Sequence, residues 1–158
     1  MIRVMFVCHG NICRSPIAEY IFKYMTKQLS INNEFVVKST ATSREEIGND
    51  LYPPAKRILE EKGIPYSHHS ARQFAKQDYD EYDYIFIMEK YNYINLLKII
   101  GSDSDNKIHY LTEYSHLDRD IADPWYSRNF DLTYVQLVES LKCFLLHLGY
   151  ENAKNIQI

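Results

Sequence analysis

Apolar and polar positions alternate along this chain in a way that predicts strands and helices in turn. Ile2–Val7 is an apolar run, broken only by Arg3, short enough for a buried strand. Ile17, Ile21, Met25 and Leu29 recur every four residues and mark one face of an amphipathic helix. Glu34–Ser39 reads as a second strand, Pro54–Lys62 as a helix stopped by Gly63, and Tyr84–Met88 as a third strand. Tyr91–Ile100 is a helix ending at Gly101, and Lys107–Leu111 a short fourth strand. Leu132, Val135, Val138, Leu141, Leu145 and Leu148 give a long apolar stripe to a closing helix.

Strand–helix alternation of this kind predicts an α/β fold: a single domain over residues 1–158, with a four-stranded parallel twisted sheet and helices on both faces. In such folds ligands bind beyond the carboxyl ends of the strands. No internal repeat, low-complexity tract or linker interrupts the pattern.

Composition narrows the function classes. With 46% hydrophobic and 25% charged residues, the chain reads as soluble and globular. A net charge of −3 with no basic stretch lacks the footprint of a nucleic-acid binder. The N-terminal apolar run lacks a signal-peptide layout, and no segment reaches the ~20 apolar residues of a membrane span, so no membrane partner is expected. Three irregularly spaced cysteines fit a reducing compartment better than a disulfide scaffold, which makes the cytoplasm the expected location.

The residues that follow the first predicted strand carry the chemistry. Cys8-His9-Gly10-Asn11-Ile12-Cys13-Arg14, then Ser15-Pro16, form a turn between a strand and a helix. A phosphate dianion has three oxygens that need donors. Successive backbone N–H groups in a tight loop form an anion nest, and the following helix adds its N-terminal N–H groups and dipole. Gly10 permits a backbone shape that other residues resist. Arg14 offers a bidentate fork that Lys lacks. A helix N-terminus and a nearby Arg favour the thiolate of a cysteine, so Cys8 is expected to be a nucleophile at the base of a phosphate-binding loop after the first strand. Ser15 is placed to donate a hydrogen bond to its sulfur, and Pro16 suits the first helical position.

A Cys and an Arg five residues apart are common by chance, so a second constellation matters. Asp123-Pro124-Trp125-Tyr126 supplies it. An Asp before Pro is held out of helical geometry, on a loop that can reach a pocket. A carboxyl group there would protonate the leaving oxygen and later activate water, an acid–base role worth roughly 10²–10⁴-fold in rate. The flanking aromatics can stack on a phenyl ring.

These phrases together resemble the low-molecular-weight protein tyrosine phosphatase family. The stretch Val7–Glu19 resembles its signature. Ser39-Thr40-Ala41-Thr42-Ser43 with Ile47-Gly48, Gly63-Ile64-Pro65 with His69-Ser70-Ala71-Arg72, Asp83-Tyr84-Ile85 with Met88-Glu89, and Asp123–Tyr126 resemble later segments in the same order. The resemblance implies a phosphotyrosine phosphatase, also active as an acid phosphatase on small aryl phosphates, that works through a phosphocysteine intermediate. It implies Cys8 as nucleophile, Arg14 as phosphate clamp and Asp123 as general acid. It further implies a supporting network of Asn11, Ser15, Ser39 and His69, with the Asn11 side chain holding the loop in a strained shape. Cys13 matches a residue that forms a protective disulfide with the nucleophile under oxidation. Phosphotyrosine-containing proteins are the implied partners, inorganic phosphate the product and inhibitor, and no cofactor or metal is called for.

Departures from the family pattern fall at the pocket rim, formed by His9, Ile12, Glu45, Trp125 and Tyr126. His9 and Glu45 stand where apolar and aromatic residues are common, and Trp125 replaces a Tyr. Four alternatives are set aside on the residues. A thioredoxin-coupled arsenate reductase needs two further cysteines, and none lies between Glu45 and Trp125. Protein arginine phosphatases look to carry a small polar residue where Ile12 stands. An inactive phosphotyrosine-binding module, or a phosphocysteine carrier, would not need Cys8, Arg14 and Asp123 together.

Overall fold

The computed structural model describes residues 1–158. Strands β1 (Ile2–Cys8), β2 (Phe35–Ala41), β3 (Tyr84–Ile87) and β4 (Ile108–Tyr110) form one sheet in the order β2-β1-β3-β4, with every pair parallel. Helices α1 (Arg14–Gln28), α2 (Pro53–Glu61), α3 (Lys76–Glu81), α4 (Lys90–Ile100), α5 (Pro124–Ser127) and α6 (Phe130–His147) supply the crossovers and the closing element. The single-domain α/β architecture with a four-stranded parallel sheet is therefore as the sequence pattern predicts.

β1 is apolar at successive positions because both faces of the sheet are covered. Val4 and Phe6 point into the larger core with Ile17, Ile21 and Met25 of α1 and Leu137, Leu141 and Phe144 of α6. Met5 and Val7 point to the other face, against Tyr79 of α3 and Leu96 of α4. Phe86 anchors the larger core, with its ring centroid 4.7 Å from Phe144 and 5.9 Å from Phe6. No helix is long and apolar enough to cross a membrane.

Chain order reverses at β1: the first crossover leads to β2 on one side, the second to β3 on the other. That switch opens a crevice at the carboxyl end of β1, and Cys8 is the last residue of that strand.

Three expectations need correction. The closing helix buries Tyr134, Leu137, Leu141, Phe144 and Leu145, while Leu132 and Val135 are exposed. Steps of three residues turn backwards by about 60° each on a 3.6-residue helix, so the expected stripe drifts off the buried face. Pro16 sits at the third helical position, not the first, because the helix begins at Arg14; its missing N–H is still among those that no helical carbonyl accepts. The left-handed residue of the loop is Asn11 at φ +61°, and Gly10 has no positive φ. A Cβ at Gly10 would meet the Glu46 side chain at 3.4 Å, an ordinary contact, so neither backbone shape nor space demands glycine there.

Candidate active site

The loop from Cys8 to Arg14 is built around Asn11, which is fully buried. A left-handed backbone costs a non-glycine residue roughly 1–2 kcal/mol, so the surroundings must hold it. They do so through every polar atom of its side chain. Nδ2 donates to Ser15 Oγ at 2.8 Å and to Ser39 Oγ at 3.0 Å, and Oδ1 accepts from the Arg72 N–H at 3.2 Å. His69 Nε2 donates to the Asn11 carbonyl at 2.7 Å. The neighbouring His68 makes no such contact and is exposed. The backbone N–H of His69 in turn donates to Asp50 Oδ1 at 3.0 Å.

This network ends on the sulfur. Asn11 spends both Nδ2 protons on Ser15 and Ser39, and Ser39 donates its own to Glu19 Oε1 at 2.6 Å. Ser15 Oγ, already an acceptor, has two acceptors within reach of its proton, Cys8 Sγ at 3.0 Å and the Thr40 carbonyl at 3.3 Å. The Asn11 N–H also donates to Cys8 Sγ, at 3.3 Å. The N–H groups of Gly10, Ile12, Cys13 and Arg14 take no partner within the protein and remain available to an anion. The sulfur is thus the floor of a donor-lined cup at the N-terminus of α1.

Arg14 crosses from that loop to two others. Its side chain is almost wholly buried, donating from Nη1 to Glu89 Oε2 and to the Ile121 carbonyl, both at 3.0 Å, and from Nη2 to Asp123 Oδ2 at 3.3 Å. Burial alone would lower its affinity for a proton, but Cys8, Asp123 and Glu89 outweigh this and raise it, so the guanidinium stays charged. Cys13, the N-cap of α1, is buried, and that burial pushes its thiol well up, with Cys8 and Asp123 adding to the shift.

Asp123 is extended before Pro124, as the Asp-Pro sequence predicts, and caps α5 by accepting from the Trp125 N–H at 3.1 Å. The acid loop is fastened to α6 at Ala122, immediately before Asp123. Gln136 Oε1 accepts from the Ala122 N–H, and Thr133 Oγ1 donates to the Ala122 carbonyl. Trp125 packs on Tyr52 with centroids 4.7 Å apart, and Tyr52 stacks on Phe130.

These groups enclose a cavity of about 560 Å³, whose walls include all seven loop residues with Glu45, Asp123, Trp125 and Tyr126. Ile12 is largely buried, packed with Cys13 and Ala71 against Tyr52 and Phe130. His9 and Glu45 meet across one wall, Nε2 to Oε2 at 3.0 Å. Every residue singled out from the sequence lies in this cavity or in the network beneath it.

Sequence reading gave no role to Glu89, Glu46, Tyr91 and Asn95, which also line the cavity. Glu89 had a signal: it follows the carboxyl end of β3, beside the switch point. Tyr91 and Asn95 are four apart at the start of α4 and share a face. Nowhere do three or more His, Cys, Asp or Glu side chains gather as a metal site requires. A second depression, between the end of α1 and the C-terminal segment at Leu29, Asn152 and Ile156, has no titratable lining.

The arrangement can bind a tetrahedral dianion, present a sulfur to its centre and hold a carboxyl group at its mouth. Comparison with known proteins agrees. Residues 3–154 match the family model described as low molecular weight phosphotyrosine protein phosphatase. The chain is 37% identical over 134 residues to the low molecular weight protein-tyrosine-phosphatase YfkJ of Bacillus subtilis, covering 83% of this chain and 85% of that one. It is 37% identical over 147 residues to the low molecular weight phosphotyrosine protein phosphatase of Gallus gallus, covering 90% and 92%. The crystal structure of YfkJ superposes with a TM-score of 0.90 at 32% identity over 96% of each chain. That of a Drosophila arginine phosphatase superposes at 0.84 and 30% identity, over 92% of this chain and 96% of that one.

Proposed function

Because this chain belongs to the low molecular weight phosphotyrosine protein phosphatase family, we propose that it hydrolyses phosphotyrosine in proteins through a phosphocysteine formed on Cys8. Cys8 Sγ attacks phosphorus in line with the phenolic oxygen. The S–P bond forms as the P–O bond breaks. The loop N–H groups and Arg14 hold the equatorial oxygens, where negative charge must be stabilised. Asp123, as the acid, passes its proton to the departing phenolate.

In the second step Asp123 is the base. It takes a proton from water, whose oxygen attacks phosphorus, and the thiolate leaves with Ser15 Oγ donating to it. Inorganic phosphate is released and competes with substrate for the same donors. The observation that carries this reading is the placement of Arg14. Its guanidinium lies beneath the cavity and touches Asp123, the one carboxylate of the acid loop that lines it.

Ile12 and Trp125 favour an aryl over a guanidinium phosphate. Ile12 joins an apolar cluster and offers no hydrogen bond to guanidinium nitrogens, and the Trp125 ring can stack on a phenyl. Rates on matched phosphotyrosine and phosphoarginine peptides test the choice. Faster hydrolysis of phosphotyrosine is expected, and preference for phosphoarginine would overturn it.

A further inference from the structure

The His9–Glu45 pair is a built feature of the pocket mouth. The turn carrying Glu45 is laced to the phosphate loop at one atom: the His9 carbonyl accepts from the Ser43 N–H at 3.1 Å and from Ser43 Oγ at 2.8 Å. Ser43 Oγ also faces the Glu45 N–H at 3.4 Å. The His9 ring then reaches back to the Glu45 carboxylate at 3.0 Å. Glu45 is therefore held over the pocket from both backbone and side chain, although its carboxylate is 69% exposed.

The charge on that wall is not balanced. Glu46, next to Glu45, packs on Gly10 and accepts only from the neutral amide of Asn49, at 2.6 Å. Arg14 is the only Lys or Arg lining the cavity, and it serves Glu89, Asp123 and the phosphate site. Arg44 and Lys90 adjoin rim residues in sequence but are exposed and do not line the cavity. The rest of the lining includes the aromatic rings of Tyr91, Trp125 and Tyr126. An incoming phosphotyrosine thus passes the Glu45 and Glu46 carboxylates with no lysine or arginine at the rim to offset them.

Resting on the phosphotyrosine reading above, we propose that Glu45, positioned by His9 and reinforced by Glu46, selects phosphotyrosines flanked by a basic residue. A Lys or Arg beside the phosphotyrosine meets the Glu45 and Glu46 carboxylates as the ring enters. An acidic neighbour meets the same charges and is repelled. Exposed pairs of this kind each change affinity by roughly two- to fivefold. Exchanging Lys for Glu on the substrate alters two charges against this wall, so a preference of about tenfold in kcat/KM is expected at low salt, shrinking as salt screens it.

The test is a pair of phosphotyrosine peptides identical but for Lys or Glu at both flanks, with the ratio of kcat/KM read in each protein. In the wild type the ratio favours Lys about tenfold at low salt and falls toward unity near 0.5 M salt. Glu45→Gln lowers the ratio, and Glu45→Lys brings it to unity or below. His9→Gln, which loosens Glu45 without changing its charge, gives an intermediate ratio. Because each ratio is internal to one protein, a general loss of activity leaves it interpretable. Equal rates on both peptides in the wild type, or an unchanged ratio in Glu45→Lys, overturns the selection. Failure of the wild type on both peptides sinks the phosphotyrosine reading beneath it.

Discussion

Arg14 Nη2 and Asp123 Oδ2 lie 3.3 Å apart, joining a loop after the first strand to one beyond the last. A phosphate dianion needs that same nitrogen. Clamp and acid therefore interact directly, and phosphate must share the guanidinium with the carboxylate or displace it.

Replacing Asp123 with Ala follows from this contact in two directions. Removing a carboxylate from beside the anion site should tighten competitive inhibition by inorganic phosphate about tenfold. Loss of the acid should slow hydrolysis of aryl phosphates with poor leaving groups by about 10²–10⁴-fold, and of p-nitrophenyl phosphate far less. An unchanged inhibition constant, or equal losses across leaving groups, would contradict the assignment.

Asn11 separates strain from hydrogen bonding. Asn11→Gly keeps the left-handed backbone at no cost but loses the side-chain bonds; Asn11→Ala loses the bonds and keeps the strain. Urea midpoints should rank wild type above Gly above Ala, with the two variants about 1 kcal/mol apart. Both should lose turnover, since Ser15 and the sulfur lose their orientation. Equal midpoints for the two variants would show that φ +61° stores no strain.

Asp50 predicts an acid-limb effect. Lys56 beside it, with the N–H groups of His69 and Leu51, holds its carboxyl well below the ordinary 3.8. A depressed folded value means stability that is present above pH ~4 and lost as pH falls toward that value. The advantage of wild type over Asp50→Asn in thermal midpoint should be constant from pH 5 to 7 and shrink below pH 4. A difference that grows on acidification would reverse the sign.

The protective disulfide that the resemblance implies for Cys13 would carry a burial cost. A resolving thiol attacks as the thiolate, and burial pushes this one well up. We propose that peroxide converts Cys8 to the sulfenic acid and that Cys13 then displaces water to give the disulfide. We predict that the activity recovered by a thiol reductant after peroxide treatment is greater at pH 8.5 than at 6.5. In Cys13→Ser it should fall to a minor fraction at both. Equal recovery in that variant would remove Cys13 from the protective step.

Sequence alone shows what rests on local periodicity and turn chemistry. The β1–loop–α1 unit is legible because an apolar run, a Cys-to-Arg turn and an i, i+4 face follow one another. Asp123 is legible because Pro124 fixes its backbone. The rest depends on partners far along the chain. Helix α3 has only six residues, and Asp78 holds it by accepting from the Ala75 N–H and from Arg72. Glu89 meets Arg14 across 75 positions. The left-handed residue falls on Asn11 and not Gly10 because Ser39 of β2 and Arg72 and His69 of the loop before α3 converge on it. On α6, steps of three and of four both read as helical, and only the mixture keeps to one face.

The direct test of the mechanism is to quench a reaction with an aryl phosphate in acid during turnover and map the phosphate adduct by mass spectrometry. The account predicts phosphate on the peptide containing Cys8, in stoichiometric amount at early times, and neither adduct nor turnover in Cys8→Ser. Phosphate on any other residue, or normal turnover in Cys8→Ser, contradicts it.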